Sequence, residues 1–125
     1  MRPFRIVSVE VNKKADDVES FALGNGARVV IGFDRPLSKL EALRVSKEAA
    51  KFVGDEDRVS CSSSSLTVRT RDFSPVGEFI EAANASAGEW CADVAAEAER
   101  AKAALSAAAE SLESVVVWRK NSAVL

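Results

Sequence analysis

Cys61 and the run Ser62 to Ser65 place a thiol beside four hydroxyls, and Cys91 supplies a second thiol further along. Thiols and hydroxyls act as nucleophiles when a base removes the proton, and that base is most often an imidazole. The 125 residues include no His and no Tyr, so imidazole and phenol chemistry are excluded within the chain. No spacing singles out a Ser–Lys pair, and the serine run reads as a turn or as strand positions with small polar side chains. Cys61 lies in a strand-like stretch and Cys91 among apolar helical positions, where a free thiol behaves as a small hydrophobe. Both are expected to be reduced, as in a cytoplasmic protein.

Asp55, Glu56 and Asp57 offer the hard oxygen ligands that Mg²⁺ and Ca²⁺ take, but they are consecutive and lack the alternation of a calcium loop. They read as a solvated turn after a helix. Gly24-Asn25-Gly26 lacks both the later glycine of a dinucleotide fingerprint and the Lys-Ser/Thr pair of a phosphate-binding loop. Neither a metal nor a cofactor is expected, and no catalytic residue is assigned.

The cations give one further possibility. Arg44, Lys47 and Lys51 share a helical face by their spacing, and Arg69 and Arg71 share a strand face. If those faces were neighbours, five cations would line a groove for phosphates. Glu41 and Glu48 interrupt the helical face, no aromatic is interleaved for base stacking, and the net charge is -2. Weak nucleic-acid binding is therefore the second reading.

The elements that hold these residues follow from pattern. The chain is 47% hydrophobic and 29% charged, which fits one globular domain and excludes a wholly disordered one. Phe4 to Val11 predicts a strand with Val7, Val9 and Val11 on one face. Asp16 and Glu19 have capping-box spacing before a short helix over Asp17 to Leu23. The competing reading there is a strand that turns at Gly24-Asn25-Gly26. Ala27 to Phe33 is the clearest strand. Ser38 and Glu41 cap a central helix from Lys39 to Val53 that stops at Gly54. Val59–Cys61 and Leu66–Thr70 predict two short strands, and Ser74-Pro75 opens a helix.

At Ser74 the character changes. Residues 1–75 carry 13 basic and 11 acidic side chains, whereas 76–125 carry 4 and 8. Val76, Ile80, Ala83, Ala87, Trp90, Val94, Ala98, Ala101, Leu105, Ala108, Leu112 and Val115 recur at spacings of three and four, the pattern of a helix–helix seam. One extra four-residue step, from Val94 to Ala98, is a stutter. Forty residues of helix would span about 60 Å, against roughly 36 Å across for a compact globule of this size. Either the helix breaks, with Asn84, Gly88 and a Ser86/Glu89 capping box as the place, or a partner covers the overhang.

The expectation is an α+β protein with a small three- to four-stranded sheet, a central helix and a long C-terminal helix, broken or whole. Its organisation is a single domain with a body over 1–73, a helical region over 74–118 and a tail over 119–125. Functionally it reads as a non-enzymatic interaction protein that pairs with itself or with a helical partner. Ile80, Trp90, Val94, Leu105 and Leu112 would bury the apolar area, and Trp118 is a further candidate anchor. The longest charge-free stretch, Val59 to Val68, is too short to cross a bilayer, so no membrane is expected.

Overall fold

The computed structural model describes residues 2–55 and 58–124, with side chains of the last helix described as far as residue 116. The elements in chain order are β1 (Ile6–Val11), α1 (Ala15–Ala22), β2 (Ala27–Phe33), α2 (Lys39–Val53), β3 (Val59–Cys61), β4 (Ser65–Thr70) and α3 (Ser74–Val124). The protein is α+β. Its four strands form one sheet in the order β1-β2-β4-β3, and each neighbouring pair is antiparallel. By internal contacts the chain divides into two units, Met1–Ala92 and Asp93–Leu125. The division falls inside α3 and not at Ser74, where the composition changes. The first turns of α3 therefore belong with the sheet.

In the first unit the core lies on one face of the strands β2 and β4. Val29 and Ile31 of β2 and Leu66 and Val68 of β4 pack with Val45 and Ala49 of α2 and with Val76, Phe79, Ala83 and Ala87 of α3. Phe79 stacks on Trp90 and meets Phe52 edge-on, with ring centroids 6.4 and 5.8 Å apart. Such ring pairs add to plain burial. The apolar period of two in β2 and β4, set against the period near four in α2 and α3, is what builds this core.

Helix α2 has the predicted bounds, and its caps show why. The Ser38 hydroxyl accepts from the Glu41 N–H at 3.1 Å while the Glu41 carboxylate accepts from the Ser38 N–H at 2.9 Å. Gly54 ends the helix at a left-handed φ of 83° and donates its N–H to the Ala50 carbonyl.

Several expectations change. The N-terminal strand starts at Ile6, not Phe4. A bulge between Ile6 and Ser8 shifts its register, so that Ile6, Val9 and Val11 lie opposite Phe33, Ile31 and Val29 on one face. Val9 and Val11 keep their alternation, and Ile6 shares their face across the bulge. Helix α1 forms, but from Ala15, and its N-cap Lys14 makes no side-chain cap bond. The Asp16/Glu19 capping box is not used. Helix α3 passes through Asn84, Ser86 and Gly88 without a break and continues through Val115–Trp118 to Val124, beyond the predicted end. Alanine-rich neighbours outweigh the weak helix preference of Asn, Gly and Val.

The second unit is the remainder of α3. Val94 is 8% exposed, and every residue from Ala95 to Val116 is exposed. Among the described residues no helix is long and apolar enough to cross a membrane.

Candidate interaction surface

A nearly buried polar cluster joins Arg35 after β2, Glu41 in the first turn of α2 and Cys91 on α3. Arg35 grips Glu41 with two parallel bonds, Nη1 to Oε1 at 3.0 Å and Nη2 to Oε2 at 2.6 Å. Both side chains are nearly buried, at 10% and 6% exposure. The Cys91 thiol donates to Glu41 Oε2 at 3.2 Å, and Arg35 Nε donates to the Arg2 carbonyl at 2.9 Å. The sequence reading identified Glu41 as a cap but missed Arg35 and Cys91. The available signal was an Arg-Pro pair leading straight into the capping box.

This cluster is poorly suited to acid–base or thiol chemistry. The Arg35 guanidinium, with help from the Ser38 N–H and the Cys91 thiol, holds the Glu41 carboxyl at about 2. A carboxylate that acidic is a feeble base, and its oxygens are already occupied. Burial pushes the Cys91 thiol up, and the neighbouring Glu41 charge pushes the same way. Burial raises Cys61 to about 11. Both cysteines are free thiols, and their protonated forms are inert. The arrangement is a buried tie between three elements.

On the opposite face of the sheet a second tie fixes α1. Arg28 of β2 donates to Asp17 from Nε at 3.0 Å and from Nη2 at 2.8 Å. The bonds from Arg28 hold the Asp17 carboxyl below the usual range. Arg69 Nη1 reaches the Ser20 hydroxyl at 3.2 Å on the same helix.

That placement separates the five cations considered for phosphates. Val68 and Thr70 are buried with the helices, so Arg69 and Arg71 alternate to the other face of the sheet. Arg69 is engaged with α1, and the Arg71 side chain lies against the Gly24–Gly26 turn. Arg44, Lys47 and Lys51 ride on α2, which packs on the helical side; Arg44 and Lys51 both pair with Glu48 at 3.1 Å. The shared groove that the spacing suggested does not form, because strand alternation turns the two sets away from each other.

A shallow groove of about 310 Å³ opens between the start of α2 and the serine turn, lined by Leu37, Ala42, Leu43, Cys61, Ser62 and Ser63 among others. The serines fold that turn themselves: the Ser62 N–H donates to the Ser65 carbonyl at 2.8 Å, and the Ser65 N–H donates to the Ser62 hydroxyl at 3.3 Å. Among the described residues, Lys39 is the one charged residue on the groove wall. Of the acidic triplet, Asp55 lies 3.6 Å from Arg58, while Glu56 and Asp57 fall outside the described residues. No cluster of three or more metal-ligating side chains occurs among the described residues.

The seam of α3 divides by position. Ile80 is partly buried against the core and Trp90 is inside it at 7% exposure, between Phe79 and Phe4. These two residues serve their own fold. Val94 is buried at 8%. Leu105 and Leu112 are 72% and 67% exposed, and Val115 and Val116 join them at 49% and 66%. The Trp118 side chain lies outside the described residues. The large exposed apolar residues on this part of α3 are therefore Leu105, Leu112, Val115 and Val116, and Ala98, Ala101 and Ala108 share the seam with the first three. Val116 went unnoticed in the sequence because it falls one step off the seam.

No protein-family model, curated protein or solved structure matches the chain.

Proposed function

We propose that this chain is a non-enzymatic interaction protein that associates with a second copy of itself through the C-terminal part of α3. One observation carries the reading. From Ala95 to Val116 every side chain is exposed, yet Leu105, Leu112 and Val115 recur along one stripe. Scattered exposed leucines need no explanation, but apolar residues aligned at helical spacing form a face that helices normally bury. The second unit is a single helix and has no other element to lay on that stripe. The saturated Glu41 carboxylate and the raised thiols favour a binding role over a catalytic one.

Light scattering of the full chain beside Leu105→Glu tests the reading. The parent should exceed the mass of one 13.3 kDa chain, and the variant should fall to it, because a buried carboxylate without a partner is strongly disfavoured. Equal masses for the two would remove the seam as the association surface.

A further inference from the structure

The orientation of that pairing follows from which residues alternate along the seam. Ala98, Leu105 and Leu112 occupy one seam position of successive heptads, and Ala101, Ala108 and Val115 occupy the other. Two packed helices keep a nearly constant separation, so each layer across the interface must fill a similar volume. A parallel pair in register sets every residue on its own copy. Leu105 then meets Leu105 and Leu112 meets Leu112, while Ala98, Ala101 and Ala108 each meet alanine. The leucine layers hold the helices apart, and the alanine layers between them are left hollow.

An antiparallel pair sets the first seam position against the second. In one register every layer joins a small residue to a larger one: Ala98 with Val115, Ala101 with Leu112, and Leu105 with Ala108. The two-fold axis crosses the helix between Ser106 and Ala107 and repeats the same three layers on its other side. A slip of one heptad destroys the match, since it brings Leu105 onto Val115 in one direction and Ala98 onto Ala108 in the other. We infer that α3 pairs with α3 of a second copy in antiparallel orientation, with Leu105 of each chain seated on Ala108 of the other. This inference rests on the self-association proposed above and adds its direction and register.

The charges beside the seam do not oppose this register. Glu97 and Lys102 flank it. In the antiparallel register the two Lys102 side chains stand about 13 Å apart along the axis, and the two Glu97 side chains are further apart still. A parallel pair would set Glu97 near the partner's Lys102. The two exposed ion pairs of that kind contribute little and do nothing for the hollow layers.

The test uses the full chain carrying Ala101→Cys and Leu112→Cys together, mildly oxidised, with linked peptides identified by mass spectrometry. The parent, oxidised alongside, accounts for links through Cys61 and Cys91. Links should join position 101 of one chain to position 112 of the other. Links of 101 to 101 and 112 to 112, or a dimer without the 101–112 link, overturn the antiparallel register while leaving self-association standing. A second measurement needs no cysteine. Leu105→Ala and Ala108→Leu should each weaken dimerisation about tenfold, and the two together should restore it, because the exchange keeps one small and one large residue in the layer. A double variant as weak as the singles overturns the register, and a parent that is monomeric throughout removes the proposed function itself.

Discussion

Asn84 of α3 stands in for a neighbouring strand at the start of β1. Its Oδ1 accepts from the Ile6 N–H at 2.8 Å, and its Nδ2 donates to the Ile6 carbonyl at 3.3 Å. Strand β1 is at the edge of the sheet, where backbone groups otherwise face solvent. A residue whose type suggests a helix end is thus retained inside the helix for what its amide does across the fold.

Asn84→Ala removes both bonds and should lower stability by about 1–2 kcal/mol. Urea denaturation followed by circular dichroism checks this. The midpoint should fall with the slope unchanged, since the folded surface is the same. An unaltered midpoint would show that water replaces the amide at no loss.

The Arg35–Glu41 pair makes a pH-dependent contribution. Glu41 has its carboxyl lowered from 4.5 to about 2 by Arg35 first of all. A group whose folded value is depressed stabilises the fold above its unfolded value and loses that contribution as pH falls through the folded value. The contribution is therefore complete above about pH 4.5 and fades between about 4.5 and 2, by about 3 kcal/mol in all. Asp17 and Asp34 are lowered in the same direction and add to the acid sensitivity. Glu41→Gln should lower stability at neutral pH by about 3 kcal/mol, because it leaves Arg35 buried without a counter-charge. It should also flatten part of the acid limb in a series of thermal melts. A variant with the parent's pH profile would contradict this assignment.

Two glycines with nearly the same φ should respond differently to a methyl group. Gly54 sits at +83° with nothing within 4 Å of an added Cβ, whereas Gly26 sits at +87° with the Thr70 backbone 3.0 Å away. Gly54→Ala should cost about 1 kcal/mol for the left-handed backbone alone. Gly26→Ala should cost at least about 2 kcal/mol, since close backbone approach is added to strain. Equal losses in denaturation would mean that the turn at Gly26 can shift.

Trp90 separates core from interface. Trp90→Phe should destabilise the fold by about 1–3 kcal/mol through the volume left against Phe79 and Phe4, with the association mass unchanged. A lower mass at unaltered stability would make Trp90 an interface residue instead.

Much of the first unit was legible because its signals are local. The central helix announced itself by Ser38, Glu41 and Gly54, and β2 by alternation from Ala27 to Phe33. What escaped depends on partners distant in the chain. Asp17 was not visible as the mate of Arg28, nor Asn84 as the mate of Ile6, because each bond is set by packing and not by spacing. The bulge after Ile6 is invisible to a period-two pattern, which assumes an unbroken ladder. Spacing placed Ile80, Trp90, Leu105 and Leu112 on one stripe, but it does not tell that the first two pack into the core of the first unit while Leu105 and Leu112 are exposed.

Sedimentation equilibrium of the unaltered chain over a wide range of concentration is the most direct measurement. The weight-average mass should climb from that of one 13.3 kDa chain toward twice that value as concentration rises. A mass that stays at one chain at every concentration would contradict the reading of the Leu105–Leu112 stripe as the place where two copies meet.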